Sequence, residues 1–577
     1  MFFFKEKNKT SFFFKEKNLL ILIFLVIVFY FLNSVLFSRN IFSNHILLLF
    51  NEADQLLNGK KPYEEINVLY GIGTPLVNAF SLFVFGRNAF SIFLITNIFY
   101  FLSIFFILLI CLRLKFSLLD NFFFILILIN IHPAPELPWS NYLSFFPVVL
   151  SLYFILNKER NSYFLSGLCL ASACLIRETV LMSAGIIFFY IFFESLFFKE
   201  KSFKNLKFYI LGFFIPLAVF VIYMLVSSNY LIWKELVYPL YKWQSLINIG
   251  YYIKNDLSPL RKFYIFFLAP YREIFLTFIK SIHYFWINWL LIFISYSCCL
   301  LIFYKRVINK NWVEDELIKH RVSIISIYSL SLILQNIHIP ALSKIASGSI
   351  IALVISYYLL NKIIQNKKIR ISFYTIVIIL LFFYSKGVFP EAKISGLDKF
   401  YRESFVNIKN NFNYFFDNQK DFYKETQIAE FRNMNYDQST HKFYDNFREI
   451  CKKIKKNKEI IYSDNQTFFW ELPYFCSTKP RHYYALTLTD FTKENFKKSS
   501  ISKKYDNNNA NTIGFYVSDN LNLKESTYFD INGFTRKREL KNFHILHYFD
   551  LKNDYPELFK YYGSRYFFIT QDYKNIN

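Results

Sequence analysis

Residues Asn51–Pro75 have the sequence NEADQLLNGKKPYEEINVLYGIGTP and contain four carboxylates, at Glu52, Asp54, Glu64 and Glu65. A long apolar segment precedes this stretch, another follows it, and the apolar segments farther along contain few charges. Ionisable side chains are costly to place within a bilayer and by default indicate a functional site there. A group of acids in a loop between apolar segments is therefore the first place to look for chemistry.

The composition predicts a membrane protein. The chain is 54% hydrophobic with a mean hydropathy of +0.25, and its repeated apolar runs indicate many spans and exclude a soluble enzyme. The formal net charge of +24 comes from Lys and Arg in short loops between these runs. A nucleic-acid-binding protein would gather them on one face or stripe. The loop placement instead follows the positive-inside rule, so we expect a lipid bilayer as partner and no nucleic acid.

The same rule gives a topology. The basic segment 1–18 predicts a cytoplasmic N-terminus, and residues 19–37 are long enough to span the bilayer. Residues 38–88, called loop 1 below, are then outside, and strict alternation makes every loop assigned to the inside basic. The prediction is a polytopic α-helical bundle over residues 19–384 with about eleven spans. The spans after loop 1 are 89–112, 116–131, 142–156, 163–176, 180–197, 208–226, 281–304, 322–337, 345–360 and 371–384.

Residues 385–577 are polar and charged, and they predict a soluble, extracytoplasmic α/β domain on the same outer side as loop 1. Alternating apolar residues indicate strands, and a helix is predicted at 441–455. The strand segments are 459–463, 482–489, 512–518, 543–551 and 565–570. Cys451 and Cys476 lie in this region, where a disulfide and two free thiols are both compatible with the sequence.

The loop 1 acids allow two interpretations. The segment NEADQLL has a helical pattern, in which Glu52 and Asp54 do not share a face, so at most one of them points into a cavity. A carboxylate facing a dry cavity has a raised pKa and suits a general base. Its oxygens also suit a divalent cation such as Mg or Mn, with Asp54 or Glu64 as the ligand. The alternative is a solvated interfacial helix with ordinary surface acids.

Basic residues near the outer ends of later spans are candidate partners for these acids. Arg177, followed by Glu178, lies at an outer turn, where a guanidinium can bind a phosphate with two hydrogen bonds or extend to the interface beside its neighbour. His338 and Lys344 either complete a phosphate or sugar site or mark a helix end. Trp139 offers a flat ring to a sugar, although aromatic belts are common at that depth.

Residues 53–64, ADQLLNGKKPYE, resemble the "a..ll.G..PY.D" stretch that follows the first span in the GT-C superfamily of membrane glycosyltransferases. That superfamily includes the protein O-mannosyltransferases and the lipid A aminoarabinose transferases. Residues 69–76, LYGIGTPL, and 85–87, FGR, are similar to its "yGP…l..lfG" extension. The basic N-terminus, outer loop 1, many spans and outer C-terminal domain also resemble that architecture.

The resemblance implies a multi-pass enzyme of the cell (inner) membrane with a periplasmic or extracellular C-terminal domain. Such an enzyme transfers a hexosyl or pentosyl group from a polyprenyl-phosphate donor to a glycan, lipid or protein acceptor of the cell envelope. A loop 1 residue acts as base or metal ligand, and outer basic residues hold the donor phosphate. The catalytic candidates are Asp54, Glu52, Glu64, Glu65 and His45, and the substrate-binding candidates are Tyr63, Tyr70, Arg177, Glu178, His338 and Lys344.

The chain departs from the family pattern at two places. The family's acid usually lies well ahead of the G..PY turn, where this chain has Ser43-Asn44-His45. Either His45, Glu52 or Asp54 replaces it, or activity is lost. The later outer loop that often carries Arg and Asp leaves only His338 here. The alternative function is a non-catalytic transporter or scaffold for lipid-linked glycans, built on a GT-C-like bundle.

Overall fold

The computed structural model describes residues 45–62, 70–131, 138–157, 159–197, 202–227, 269–308, 315–333 and 342–384 of the apolar part. It also describes a few single residues between 21 and 68, and shorter segments between 423 and 572. Twelve helices follow one another in the described apolar part. They are α1 His45–Leu57, α2 Gly73–Phe85, α3 Ala89–Arg113, α4 Leu118–Ile131, α5 Ser140–Ile155, α6 Arg160–Ile176, α7 Val180–Phe197, α8 Ser202–Val226, α9 Ala269–Ile308, α10 Glu316–Leu332, α11 Leu342–Ile363 and α12 Lys367–Tyr384.

Three stretches of helix are long and apolar enough to cross a membrane, at Ala89–Arg113, Lys204–Val226 and Trp286–Ile308. Several apolar helices of 10–17 residues accompany them. Large apolar side chains such as Phe214 and Val219 of α8 are more than half exposed, as expected for a surface that faces lipid. The chain is thus a mostly helical membrane protein, and the total of about eleven spans stays a prediction.

One apolar core joins the bundle from α3 to α12. Helix α6 packs against both α5 and α8, and α11 packs against α9 and α10. Hydroxyl groups form hydrogen bonds across the helix interfaces. The Ser151 Oγ of α5 lies 2.9 Å from the Ser166 Oγ of α6 and 2.8 Å from the Tyr328 hydroxyl of α10. Small and hydroxyl-bearing residues allow membrane helices to approach closely and to hydrogen-bond across their interfaces.

The bundle has two ends of different character. At one end, which we call the loop 1 end, α2 begins beside the end of α6, and the start of α5 lies beside both. At the other end, which we call the basic end, the end of α3 and the starts of α4, α10 and α12 come together. Contacts there include Lys115–Asp315 at 3.7 Å, Arg321 Nη1 to the Arg113 carbonyl at 2.9 Å and Arg370–Asp120 at 3.2 Å.

The basic end contains a buried ion network. Arg306 Nη2 of α9 and His320 Nδ1 of α10 lie 3.1 and 3.2 Å from Glu194 Oε1 of α7. The second ring nitrogen of His320 is 3.4 Å from the Ile155 carbonyl at the end of α5. A carboxylate and a helix C-terminus both favour a neighbouring positive charge. The network therefore holds the ends of four helices together.

Loop 1 contains the helix expected at NEADQLL, within α1, and also a second helix, α2, that was not predicted. Helix α2 is apolar but has only 13 residues, fewer than the ~20 that a span needs. Its Phe80 and Phe83 are 60% and 78% exposed, while Thr74, Asn78 and Ser81 face the protein. A short helix with an exposed apolar face and a buried polar face suits the membrane interface or the wall of a bundle. Helix α9 also differs, because it begins at Ala269 and the predicted span began at residue 281.

The polar part forms a four-stranded sheet in the order Tyr462–Ser463, Thr512–Ser518, Tyr566–Asp572 and Phe543–Asp550, in which the first pair of strands is parallel and the other pairs are antiparallel. Phe443 and Phe447 of the helix Gln438–Ile454 pack on Phe549 and Phe567 of this sheet. The elements are β1 Tyr423–Glu425, β2 Asn435–Asp437, α13 Gln438–Ile454, β3 Tyr462–Ser463, β4 Thr512–Ser518, β5 Glu525–Phe529, β6 Thr535–Glu539, β7 Phe543–Asp550, α14 Leu551–Asp554 and β8 Tyr566–Asp572. The predicted strand at 482–489 and the two cysteine side chains lie outside the described residues.

Candidate active site at the loop 1 end

Helix α1 separates the two acids that the sequence places two residues apart. Glu52 faces the protein and is 1% exposed. Asp54 lies at the surface, where its Oδ1 is 3.8 Å from Arg87 Nε and its Oδ2 accepts a hydrogen bond from Asn58 Nδ2 at 3.3 Å. Residues two apart on a helix point to different sides. Glu52 is therefore the carboxylate that reaches the interior, and Asp54 belongs to a surface cluster.

Two glycines fit the last part of loop 1 against the end of α6. A Cβ on Gly71 would lie 2.9 Å from the carbonyl carbon of Leu175 and would overlap its oxygen. A Cβ on Gly73 would lie 2.8 Å from the backbone nitrogen of Ile176. Thr74 Oγ1 donates to the Ile176 carbonyl at 2.7 Å. Only glycine allows backbones to approach this closely, so the YGIGT sequence positions loop 1 on the residues that immediately precede Arg177.

Arg177 is a buried cation at this end and is 4% exposed. Its Nε donates to Thr179 Oγ1 and its Nη1 donates to Ser140 Oγ, each at 2.9 Å. Its Cζ lies 5.7 Å from the centre of the Tyr70 ring, within the range of a cation–π contact. Residues from loop 1, the start of α5 and the turn after α6 thus fix one guanidinium.

Tyr70 connects Glu52 with Arg177 electrostatically. Burial raises the pKa of the Tyr70 phenol, the Arg177 guanidinium opposes this rise, and the Glu52 carboxylate adds to it. The phenol therefore stays neutral at physiological pH and can donate a hydrogen bond. The Arg177 guanidinium lies over the ring of this neutral donor, and the buried Glu52 carboxylate is near enough to act on the same hydroxyl. This set can provide a general base and bind an anionic group.

The other sequence-predicted residues are placed as follows. Glu178 is half-buried in the turn beside Arg177. His45 begins α1 and Lys344 lies in the first turn of α11, but their side chains are outside the described part. Tyr63, Glu64, Glu65 and His338 also lie outside it.

The predicted divalent cation finds no ligand set among the residues that the structure describes. Among them, no three His, Cys, Asp or Glu side chains lie close enough together to hold a metal ion. Asp54, the first candidate ligand, is instead paired with Arg87. The described residues therefore do not fit a Mg or Mn site, and the candidate Glu64 lies outside them.

Sequence reasoning missed Ser140 and Thr179, which hold Arg177. Thr179 follows Arg177 by two residues, and Ser140 is the first residue of α5, directly after Trp139. A hydroxyl two residues from an interfacial arginine is a signal that the sequence offered for Thr179. Ser140 is 37 positions away, and only the packing of α5 against α6 shows its role.

No protein-family model and no curated protein sequence matches the chain. Among solved structures, it is similar to ArnT from Cupriavidus metallidurans bound to undecaprenyl phosphate. The TM-score is 0.45, with 10% identity over 87% of this chain and 93% of that one. It is also similar to the archaeal oligosaccharyltransferase AglB from Archaeoglobus fulgidus in complex with an inhibitory peptide and a dolichol-phosphate. Here the TM-score is 0.48, with 10% identity over 92% of this chain and 75% of that one.

A second structure of the Archaeoglobus fulgidus oligosaccharyltransferase, tethered with an acceptor peptide, gives a TM-score of 0.46 and 10% identity over the same fractions of the two chains. ArnT and AglB belong to the GT-C superfamily, which the loop 1 motif also resembles.

Proposed function

We propose that this protein is a membrane glycosyltransferase that transfers a sugar from a polyprenyl-phosphate donor to an acceptor outside the cytoplasm. The observation that carries the proposal is the convergence of Glu52, Tyr70 and Arg177 at the loop 1 end. This convergence joins the family-like motif of loop 1 to a buried guanidinium, a group suited to binding a phosphate. Sequence resemblance and local geometry therefore support the same site.

Each of the three residues takes a role that suits its chemistry. Arg177 binds the phosphate of the donor, and its contacts with Ser140 and Thr179 orient the guanidinium in advance. Tyr70 covers the guanidinium and donates a hydrogen bond to a bound oxygen. Glu52 accepts the proton of the acceptor nucleophile, for which a carboxylate in a dry environment is suited.

In the transfer step, the acceptor oxygen or nitrogen forms a bond to the anomeric carbon of the sugar as its proton passes to Glu52. The bond between that carbon and the phosphate oxygen breaks. The electron pair stays on the departing polyprenyl phosphate, whose added negative charge Arg177 stabilises. No oxidant or reductant takes part in this step.

We place the loop 1 end outside, because basic residues such as Lys115, Arg321 and Arg370 lie at the opposite end and basic loops remain in the cytoplasm. Residues 385–577 then follow α12 on the outer side, as a periplasmic or extracellular α/β domain next to the site. This arrangement suits an envelope acceptor, whether glycan, lipid or protein. A hexosyl and a pentosyl group both suit the proposed chemistry.

The test is transfer of radiolabelled sugar by the purified chain in proteoliposomes that contain polyprenyl-phosphate mannose, glucose or aminoarabinose and an envelope extract as acceptor. We expect transfer by the wild type, and a loss of about two orders of magnitude in Arg177→Gln, because an electrostatic contact to the departing group is removed. Absence of transfer with every donor would favour the alternative, a non-catalytic transporter or scaffold for lipid-linked glycans. Undiminished transfer by Arg177→Gln would remove this residue from the site.

A further inference from the structure

We infer that Asn78 and Asn141 form a polar subsite beside Arg177 that recognises hydroxyl groups of the transferred sugar. This inference rests on the proposed function, because it names the part of the donor that lies beyond the phosphate. Asn78 is in α2 and Asn141 is in the first turn of α5.

The first observation is that the side-chain amide of Asn78 lacks hydrogen-bond partners. Its side chain is fully buried, and neither its Nδ2 nor its Oδ1 has a hydrogen-bond partner among the residues that the structure describes. A buried, unsatisfied amide destabilises a fold, and a leucine of similar size would avoid that cost. Side chains that break this rule tend to occur at functional sites, where a ligand supplies the missing partner.

The second observation is that Asn141 has a similar unmet requirement on another helix. Asn141 is 9% exposed, and its Oδ1 has no partner within the described part of the chain. It directly follows Ser140, which accepts a hydrogen bond from Arg177. Two amides with unmet hydrogen-bonding groups therefore belong to the segments that surround one guanidinium.

The packing brings the two segments to the same place. Asn78 lies one helical turn after Thr74, whose hydroxyl is bonded to the Ile176 carbonyl, next to Arg177. Val77 packs on a small apolar cluster that includes Leu143 of α5 and Ile176 of α6. The neighbours of Asn78 and Asn141 thus meet at the end of α6.

The chemistry of the two amides identifies the ligand class. An amide offers two donors and a carbonyl acceptor, which matches hydroxyl groups that both donate and accept. A phosphate would leave the amide oxygens unpaired, because an ionised phosphate only accepts. A polyol next to a phosphate, as in a sugar 1-phosphate linked to a lipid, satisfies both the amides and Arg177.

The test compares the affinities of bare undecaprenyl phosphate and of its mannose and glucose esters, measured by native mass spectrometry on the full chain in detergent. We expect the wild type to bind at least one sugar ester more tightly than the bare lipid. Asn78→Leu should bind the sugar ester about tenfold more weakly, the loss expected for a hydrogen bond of ordinary strength. Its affinity for the bare lipid should stay unchanged. Its melting temperature should be equal to or above that of the wild type.

Asn121→Leu is the matched control, because Asn121 is also buried with an unpartnered Oδ1 but lies near the basic end, where its Nδ2 donates to the Ser117 carbonyl. This control variant should still bind the sugar ester more tightly than the bare lipid. The inference is overturned if Asn78→Leu still binds the sugar ester as tightly as the wild type does, or if it loses affinity for the bare lipid and the ester equally. It is also overturned if the wild type binds neither ester more tightly than the bare lipid. A wild type that binds no undecaprenyl phosphate at all would instead overturn the proposed function, and this inference with it.

Discussion

Replacing Gly71 by alanine tests whether loop 1 must fit closely on α6 for activity. The added Cβ would overlap the carbonyl oxygen of Leu175, and Cβ atoms are essentially never found within 3.0 Å of a non-bonded heavy atom from another part of the chain. The obstacle is backbone, so no change of rotamer relieves it, and loop 1 must move away from α6. A displacement of about 1 Å separates Tyr70 and Glu52 from Arg177, and a misplacement of that size can reduce a rate by ~10²-fold.

The assay is sugar transfer in proteoliposomes, with the melting temperature measured on the same preparations. Gly185→Ala in α7 is the neutral control, because nothing lies within 4 Å of the added Cβ. Gly212→Ala in α8 is the steric control, since its Cβ would overlap the Phe164 carbonyl at a place remote from loop 1. We expect Gly71→Ala to lose far more activity than Gly212→Ala at a similar loss of stability. Wild-type turnover in Gly71→Ala, or equal losses in both steric variants, would refute the reasoning.

Three further outcomes follow from the same contacts. Ser140→Ala removes one acceptor of the Arg177 guanidinium, so the Kd for undecaprenyl phosphate should rise about tenfold with little change in melting temperature. Tyr70→Phe keeps the ring over Arg177 but removes the hydroxyl donor, so its affinity should fall severalfold, and Tyr70→Ala should lose more because the ring is also removed, as equilibrium binding would show. Glu194→Gln leaves two buried basic groups without their shared carboxylate and should lower the free energy of unfolding by about 3–5 kcal/mol, measured by denaturant titration in detergent.

The sequence was sufficient for most of the helices because their signal is strong. Long apolar runs bounded by basic loops predicted both ends of the helix Val180–Phe197 correctly. They predicted the ends of most of the other described helices within a few residues. Helix α9 was predicted too short because its first residues, APYREIFLTFIK, carry charges that a hydropathy window rejects. The strands β5 and β6 were not predicted, because a segment such as TRKRE lacks the apolar alternation that marks a half-buried strand.

The candidate site was only partly visible in the sequence. The helical period correctly implied that Glu52 and Asp54 point to different sides, but it could not say which of them faces the protein. That choice depends on how α1 packs against α2 and α3. The pairing of Asp54 with Arg87, and of Arg177 with Ser140, joins residues 33 and 37 positions apart, and local sequence does not encode such contacts.

The most direct test of the central claim is the rate of sugar transfer by Glu52→Gln beside Asp54→Asn, measured in one assay with wild-type protein. Glutamine keeps the size of Glu52 but cannot accept the acceptor proton, so we expect a loss of about 10²–10⁴-fold. Asp54→Asn changes only the surface cluster with Arg87 and should retain a rate within severalfold of the wild type. The account is contradicted if Glu52→Gln transfers sugar at the wild-type rate, or if Asp54→Asn is the variant that loses activity.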